Sequence, residues 1–167
     1  GPCLSISPTG NGLASNFFSA GVNQGPIKSY GYFQLKKGND FRPNSNFEVY
    51  SGMANLTYQI NDKASIKLEY TKMSYLNQQP GGLTDKEFFE DPTISKRERN
   101  WFQVDWNLFA ADFDYRFSSS TKLNSKFFGL KASRDAVGVL TNISRVDDLS
   151  KQRDLIKGQF QNWGNET

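Results

Sequence analysis

Apolar and polar residues alternate along most of this chain with the period of two that a strand imposes on its two faces. In FEVYSGMANLTYQI (Phe47 to Ile60), Tyr50, Gly52, Ala54, Leu56, Tyr58 and Ile60 share one face, and Ser51, Asn55, Thr57 and Gln59 the other. ASIKLEYTKMSYL (Ala64 to Leu76) sets Ala64, Ile66, Leu68 and Tyr70 against Ser65, Lys67, Glu69 and Thr71. The C-terminal half of WFQVDWNLFAADFDYRF (Trp101 to Phe117) sets Phe109, Ala111, Phe113, Tyr115 and Phe117 against Ala110, Asp112, Asp114 and Arg116. SNFFSAGVN (Ser15 to Asn23), IKSYGYFQLKK (Ile27 to Lys37) and RDLIKGQFQNW (Arg153 to Trp163) read as further strands. KLNSKFFGLKASR (Lys122 to Arg134) does too, with weaker alternation. The pattern predicts an all-β antiparallel meander of about seven long strands over residues 14–167. Residues 1–13 are left unassigned.

The connections alternate in length. QGP, NDK (Asn61 to Lys63) and SSST (Ser118 to Thr121) are short; Gly38 to Asn46, Asn77 to Asn100 and Asp135 to Gln152 are long. In a meander this puts every short turn at one end and every long loop at the other. Long strands with that asymmetry describe an outer-membrane barrel. A soluble β-sandwich, such as a carbohydrate-binding module with an aromatic platform, would show the same alternation. The wet faces carry Lys67, Glu69, Asp112, Asp114 and Arg116, which need bulk water or a hydrated lumen.

Composition narrows the chemistry. Aromatic residues make up 14%, which suits strands and interfacial belts. Tyr50, Tyr58, Tyr70, Phe109, Phe113, Tyr115 and Phe117 are read as lipid face and belt, or as core in a soluble protein. The net charge of +3 makes no case for nucleic acid. One cysteine, Cys3, and no histidine exclude disulfide frameworks, Cys/His zinc sites and histidine catalysis within these residues. No enzyme activity and no cofactor are expected. No apolar run approaches the ~18 residues of a spanning helix. No signal peptide is visible, and both ends read as cut, as in a fragment.

Leu68 to Leu108, LEYTKMSYLNQQPGGLTDKEFFEDPTISKRERNWFQVDWNL, resembles the barrel of TonB-dependent outer-membrane receptors, closest to the ferric dicitrate receptor group. YGYFQLKKGNDFRPNSNFEVYSG upstream and LKASRDAVGVLTNISRVDDLSKQRDLIKGQFQNWGNET downstream resemble the same group. QQPGGLTD followed by RNWF and DWNL is the most specific run. The resemblance implies a barrel of about 22 strands with a separate plug domain. It further implies the outer membrane of a Gram-negative bacterium, an iron chelate of the ferric citrate kind as substrate, and TonB as partner through a plug absent here. A receptor for a different substrate would share the same wall.

Candidate ligand residues come from charge and placement. An anionic chelate calls for guanidinium groups, whose planar fork matches carboxylates. The long-loop segments hold Arg42, Lys96, Arg97, Arg99, Arg134, Arg145 and Arg153, densest in SKRERNW (Ser95 to Trp101). Arg97 and Arg99 share a face if the strand extends back to them. Gln78 and Gln79 add donors. The ligand set expected is therefore Arg42, Gln78, Gln79, Arg97, Arg99 and Arg134. Thr84 with Glu87 matches a capping box, so a short helix is predicted near Asp85.

Overall fold

A computed structural model describes residues 2–9 and 12–167. Eight strands form one antiparallel sheet in chain order: β1 (Cys3–Thr9), β2 (Leu13–Gln24), β3 (Ile27–Gly38), β4 (Phe47–Asn61), β5 (Ala64–Gln78), β6 (Trp101–Arg116), β7 (Lys122–Gly138) and β8 (Asp154–Glu166). The all-β meander expected from the pattern is present. It gains one strand, because Cys3–Thr9 in the unassigned segment pairs with β2. β1 and β8 are not neighbours, so the sheet is open.

The sheet reaches further into the loops than alternation indicated. β7 runs to Gly138, past the Arg134 limit, because Asp135 to Val137 find ladder partners on both β6 and β8. The long loops are therefore 39–46, 79–100 and 139–153, all at one end. The short turns at the other end are closed by local chemistry. Asn61 Oδ1 accepts from the backbone N–H of Lys63 and Ala64 at 2.9 and 3.0 Å. Ser118 Oγ accepts from those of Ser120 and Thr121. Both side chains replace bonds the reversing backbone cannot make. The predicted helix exists as α1 (Asp85–Glu90), with both halves of the Thr84–Glu87 capping box made.

Among the described residues all eight strands belong to one sheet, and no second sheet packs on it. Among the described residues the buried apolar side chains are only Ala64, Val104 and Ala132. The large apolar residues lie instead on an open face. Cross-strand partners share a face, so the register defines it: Ile27, Tyr58, Ile66 and Phe113 form one row, and Leu56, Leu68, Ala111 and Phe127 the next. This is called the band face. Leu68 is 46% exposed and Phe127 52%.

The opposite face, called the cavity face, is charged at the same level. Lys67, Asp112, Lys126 and Glu166 stand side by side with alternating sign. Lys126 Nζ lies 3.7 Å from Asp112 Oδ1, and Lys67 pairs with Glu69 at 3.0 Å. Asp114 takes a hydrogen bond from Asn124, not from Arg116.

Towards the long loops the two faces exchange character. On the band face Tyr70 and Phe109 give way to Lys72, Asn107 and Asp105. On the cavity face Asp112 gives way to Leu108, Trp106, Val104 and Phe102. The ladders of β6 run through the exchange with unbroken register, so no bulge rotates the strand. The exchange lies in the sequence, and it explains the weak alternation of β7. Phe127 and Gly129 occupy the band face below it; Leu130, Ala132 and Ala136 occupy the cavity face above it.

Candidate functional site

The three long loops fold over the upper cavity face and roof a cavity of 530 Å³. Its floor is built by strand residues Asn77, Phe102, Ala136 and Ile156, which share one register row, with Arg134 on the row beside it. Its walls are Arg42, Pro80, Gly81, Gly82, Arg97, Val139, Leu140 and Ile143.

Four cations hold the roof together, each by reaching from one loop to another. Arg42 donates from Nε and Nη2 to Ile94 O at 3.0 and 2.8 Å, and from Nη2 to Gly81 O at 2.8 Å. Lys96 donates to Glu87 Oε2 at 2.6 Å and to Ser144 O at 2.8 Å. Arg97, only 1% exposed, donates to Val139 O at 2.7 Å and to Asn142 O at 2.5 Å. Arg99 forks onto Asp147 through Nε at 3.0 Å and Nη2 at 2.9 Å. Backbone bonds from Lys96 to Pro80, Gly82 to Ile143 and Asp147 to Lys96 weave the same segments.

Glycine makes the close approach possible at two places. Gly81 sits at φ +85°, and a Cβ there would meet Arg97 Cγ at 2.9 Å. Gly138 sits at φ +135° beneath Asn100, whose amide bonds both ways to Val139 at 2.9 and 3.0 Å. A side chain at Gly138 would overlap Asn100.

The charges respond to these contacts. Glu87 falls from its ordinary 4.5 to about 2, first because Lys96 bonds its charged form and then because Thr84 does. Asp147 is lowered chiefly by the Arg99 hydrogen bonds, and Arg99 is raised by the same pair. Burial pushes the Arg97 guanidinium down, opposed by the charge of Asp147 and assisted by that of Arg145.

Five of the six residues expected to meet a ligand line this cavity: Arg42, Gln78, Gln79, Arg97 and Arg134. Their availability differs. β6 begins at Trp101, so the strand does not extend back to Arg97 and Arg99, and the two point to different partners. Arg99 lies outside the cavity on Asp147. Arg42 and Arg97 have hydrogen bonds to loop carbonyls. Gln78 Oε1 accepts from the Asn46 backbone and side chain.

Two expected residues keep polar atoms open to the cavity. The Arg134 guanidinium lies 5.1 Å from the Phe102 ring centroid, and among the described residues nothing hydrogen-bonds it. The Gln79 side chain has no hydrogen-bond partner among them either, although its backbone is bonded to Asn100 and Asn44.

Sequence reasoning did not single out Asn77, Asn100 or Phe102. Asn77 matters most, because its Oδ1 is buried without a partner. It stands in a row with Phe47, Phe102, Ala136 and Ile156, where no neighbour side chain can donate to it. The signal available was its place among apolar residues at the same strand parity, which becomes visible only once the faces are known to exchange. The cavity thus presents a guanidinium and an amide over an aromatic and aliphatic floor, with the unpartnered Asn77 Oδ1 buried within that floor. That set suits an anionic ligand that also carries a hydrogen-bond donor.

No family model, curated protein or solved structure matches this chain.

Proposed function

We propose that the chain is part of the wall of an outer-membrane β-barrel receptor of the TonB-dependent type, one that captures an anionic iron chelate such as ferric citrate. The observation that carries the reading is the exposed apolar band. Apolar residues occupy every second position of the chain, and so every band-face position, from Phe109 to Phe117. That nine-residue span matches the ~9 to 11 residues of a strand crossing a bilayer. Aromatic side chains edge the band at both levels: Tyr70, Phe109 and Trp163 above, Tyr58, Tyr115 and Phe117 below.

The band is also oblique. On β3 and β4 it rises to Leu35 and Tyr50, level with Asp105; on β5 to β8 it stops at the lower row of Tyr70, Phe109, Gly129 and Trp163. Rows run perpendicular to strands, so a horizontal bilayer edge cuts them obliquely when strands tilt, as barrel closure demands. The charged lower cavity face then borders a hydrated lumen. The free edges of β1 and β8 are where further strands pair to close the barrel. The long loops face outward, and the cavity beneath them receives the substrate. TonB acts through a plug outside these residues, and the role is transport rather than catalysis.

One feature favours a second reading, a receptor of the same architecture for another substrate. Of the three arginines lining the cavity only Arg134 has a guanidinium free of hydrogen bonds among the described residues, and the Gln79 side-chain amide is likewise unpartnered. A ligand with one acid group beside a hydroxyl or N–H fits that pair better than a highly charged chelate.

Titration of ferric citrate into the detergent-solubilised chain tests both. Under the first reading Arg134→Ala loses a charge-assisted contact of about 1.5–3 kcal/mol, roughly ten- to hundredfold in affinity. Lys86→Ala, outside the cavity and paired only with exposed Glu90, leaves it unchanged. Absence of ferric citrate binding to the intact cavity removes the first reading. A chain that stays monomeric after all detergent is withdrawn, with Tyr58, Leu68 and Phe113 buried, removes the membrane reading itself.

A further inference from the structure

The band face carries a second built feature, just where the band ends. Below the edge lies an apolar trough of 600 Å³, floored by Ala54 and Ala111 and walled by Leu68, Tyr70, Phe109 and Trp163. The small residues make the depression, and the rings stand around it. Trp163 stacks on Phe127 with centroids 6.0 Å apart, and Tyr70 lies 4.9 Å from Phe109.

Directly above is a polar hollow of 500 Å³ that includes Lys131, Asn107, Ser133, Gln159 and Gln161. The two features adjoin: Phe109, Gly129 and Trp163 form the last band row, and Asn107, Lys131 and Gln161 the first row beyond it. Lys72 stands in that same row but is neutralised by Asp105 at 2.6 Å. Lys131 has no ion-pair partner among the described residues. Asp105, the acid in the hollow, is held by Lys72 and also takes a hydrogen bond from Asn107.

We infer that this double hollow seats one anionic, phosphate-bearing lipid of the outer leaflet. Its acyl chain lies in the trough, and its phosphate meets Lys131 with the amides of Gln159 and Gln161 and the hydroxyl of Ser133. The inference rests on the membrane reading above. Two complementary observations carry it: a groove of chain width inside the band, and an unpaired cation among neutral donors at headgroup level. Neither feature belongs to the ligand cavity, which opens on the other face.

Trp163 reports on the seat. In a Trp101→Phe, Trp106→Phe background it is the one remaining tryptophan of the three. The chain is reconstituted into vesicles of phosphatidylcholine containing either phosphatidylglycerol or phosphatidylcholine brominated on its acyl chains. Brominated phosphatidylglycerol is expected to quench Trp163 at about fivefold lower mole fraction than the brominated phosphatidylcholine. Lys131→Gln is expected to remove that preference, and Lys37→Gln, a cation on the same face on β3 and outside the hollow, to retain it. Equal quenching by both lipids in the parent chain overturns the seat while leaving the membrane reading intact. Quenching by neither overturns both. Loss of the preference on adding inorganic phosphate alone would show a free-anion site and overturn the lipid assignment.

Discussion

Asp112 and Phe113 point to opposite faces of β6, and so do Asp105 and Trp106 a short way along the same strand. In the first pair the aspartate lies on the cavity face; in the second it lies on the band face. The two halves of one sheet therefore present opposite polarity on each face, without a bulge between them. Near the short turns, apolar side chains are exposed and charged ones line the opposite face. Nearer the long loops, Lys72 and Asp105 stand on the band face, while Phe102 and Ala136 on the cavity face lie under the loop roof. Alternation alone defines two faces. The level at which they exchange defines two environments, and on β6 the lower one spans Phe109 to Arg116.

The most damaging test of that difference places a charge on the band face at each level. Phe113→Arg in the lower half is expected to cost about 2–4 kcal/mol in a bilayer. Gln159→Arg, on the same face in the upper half, is expected to cost close to nothing. Urea unfolding from vesicles measures both. Equal costs would break the two-environment account.

A second test sharpens what the upper half is made of. Arg97→Ala removes the buried donor to Val139 O and Asn142 O. It leaves acceptors unsatisfied, at a cost of about 1–3 kcal/mol. Lys86→Ala, which removes only the exposed 3.8 Å pair with Glu90 in the same loop, is expected to leave stability close to that of the parent. Limited proteolysis within 79–100 and 139–153 reads the difference. A lower half untouched by Arg97→Ala, seen as unchanged hydrogen exchange at β6 residues 109–116, confirms that the roof is a separate unit.

The smallest effect is a pH response confined to the roof. Glu87 has its folded value depressed to about 2 from 4.5. Its contribution is therefore fully present above pH 4.5 and is lost as pH falls towards 2. Acidification through that window is expected to raise amide exchange around Lys96 and Ser144, with Glu87→Gln flattening the response. A response of equal size in β4 and β5 would deny the separation.

Much of the fold was legible because its causes are local. Period-two alternation, the turn chemistry of Asn61 and Ser118, the Thr84–Glu87 box and the long-loop segments all act within a few residues. The cavity was partly legible for a related reason: loops at one end of a meander must meet, so their arginines gather there. What each arginine does was not legible. Arg97 and Arg134 look alike in sequence, yet one is enclosed by carbonyls more than forty positions away and the other stands free over Phe102. Asn77 was overlooked because its solitude depends on four neighbouring strands.

The sequence by itself determined that the chain is a meander with short turns at one end and long loops at the other, because those features follow from neighbouring residues. Only the tertiary structure decided which cations close the roof, which one stands over Phe102 without a hydrogen bond, and where the apolar band stops. Those outcomes depend on cross-strand register and loop packing, which join residues that sequence distance keeps apart.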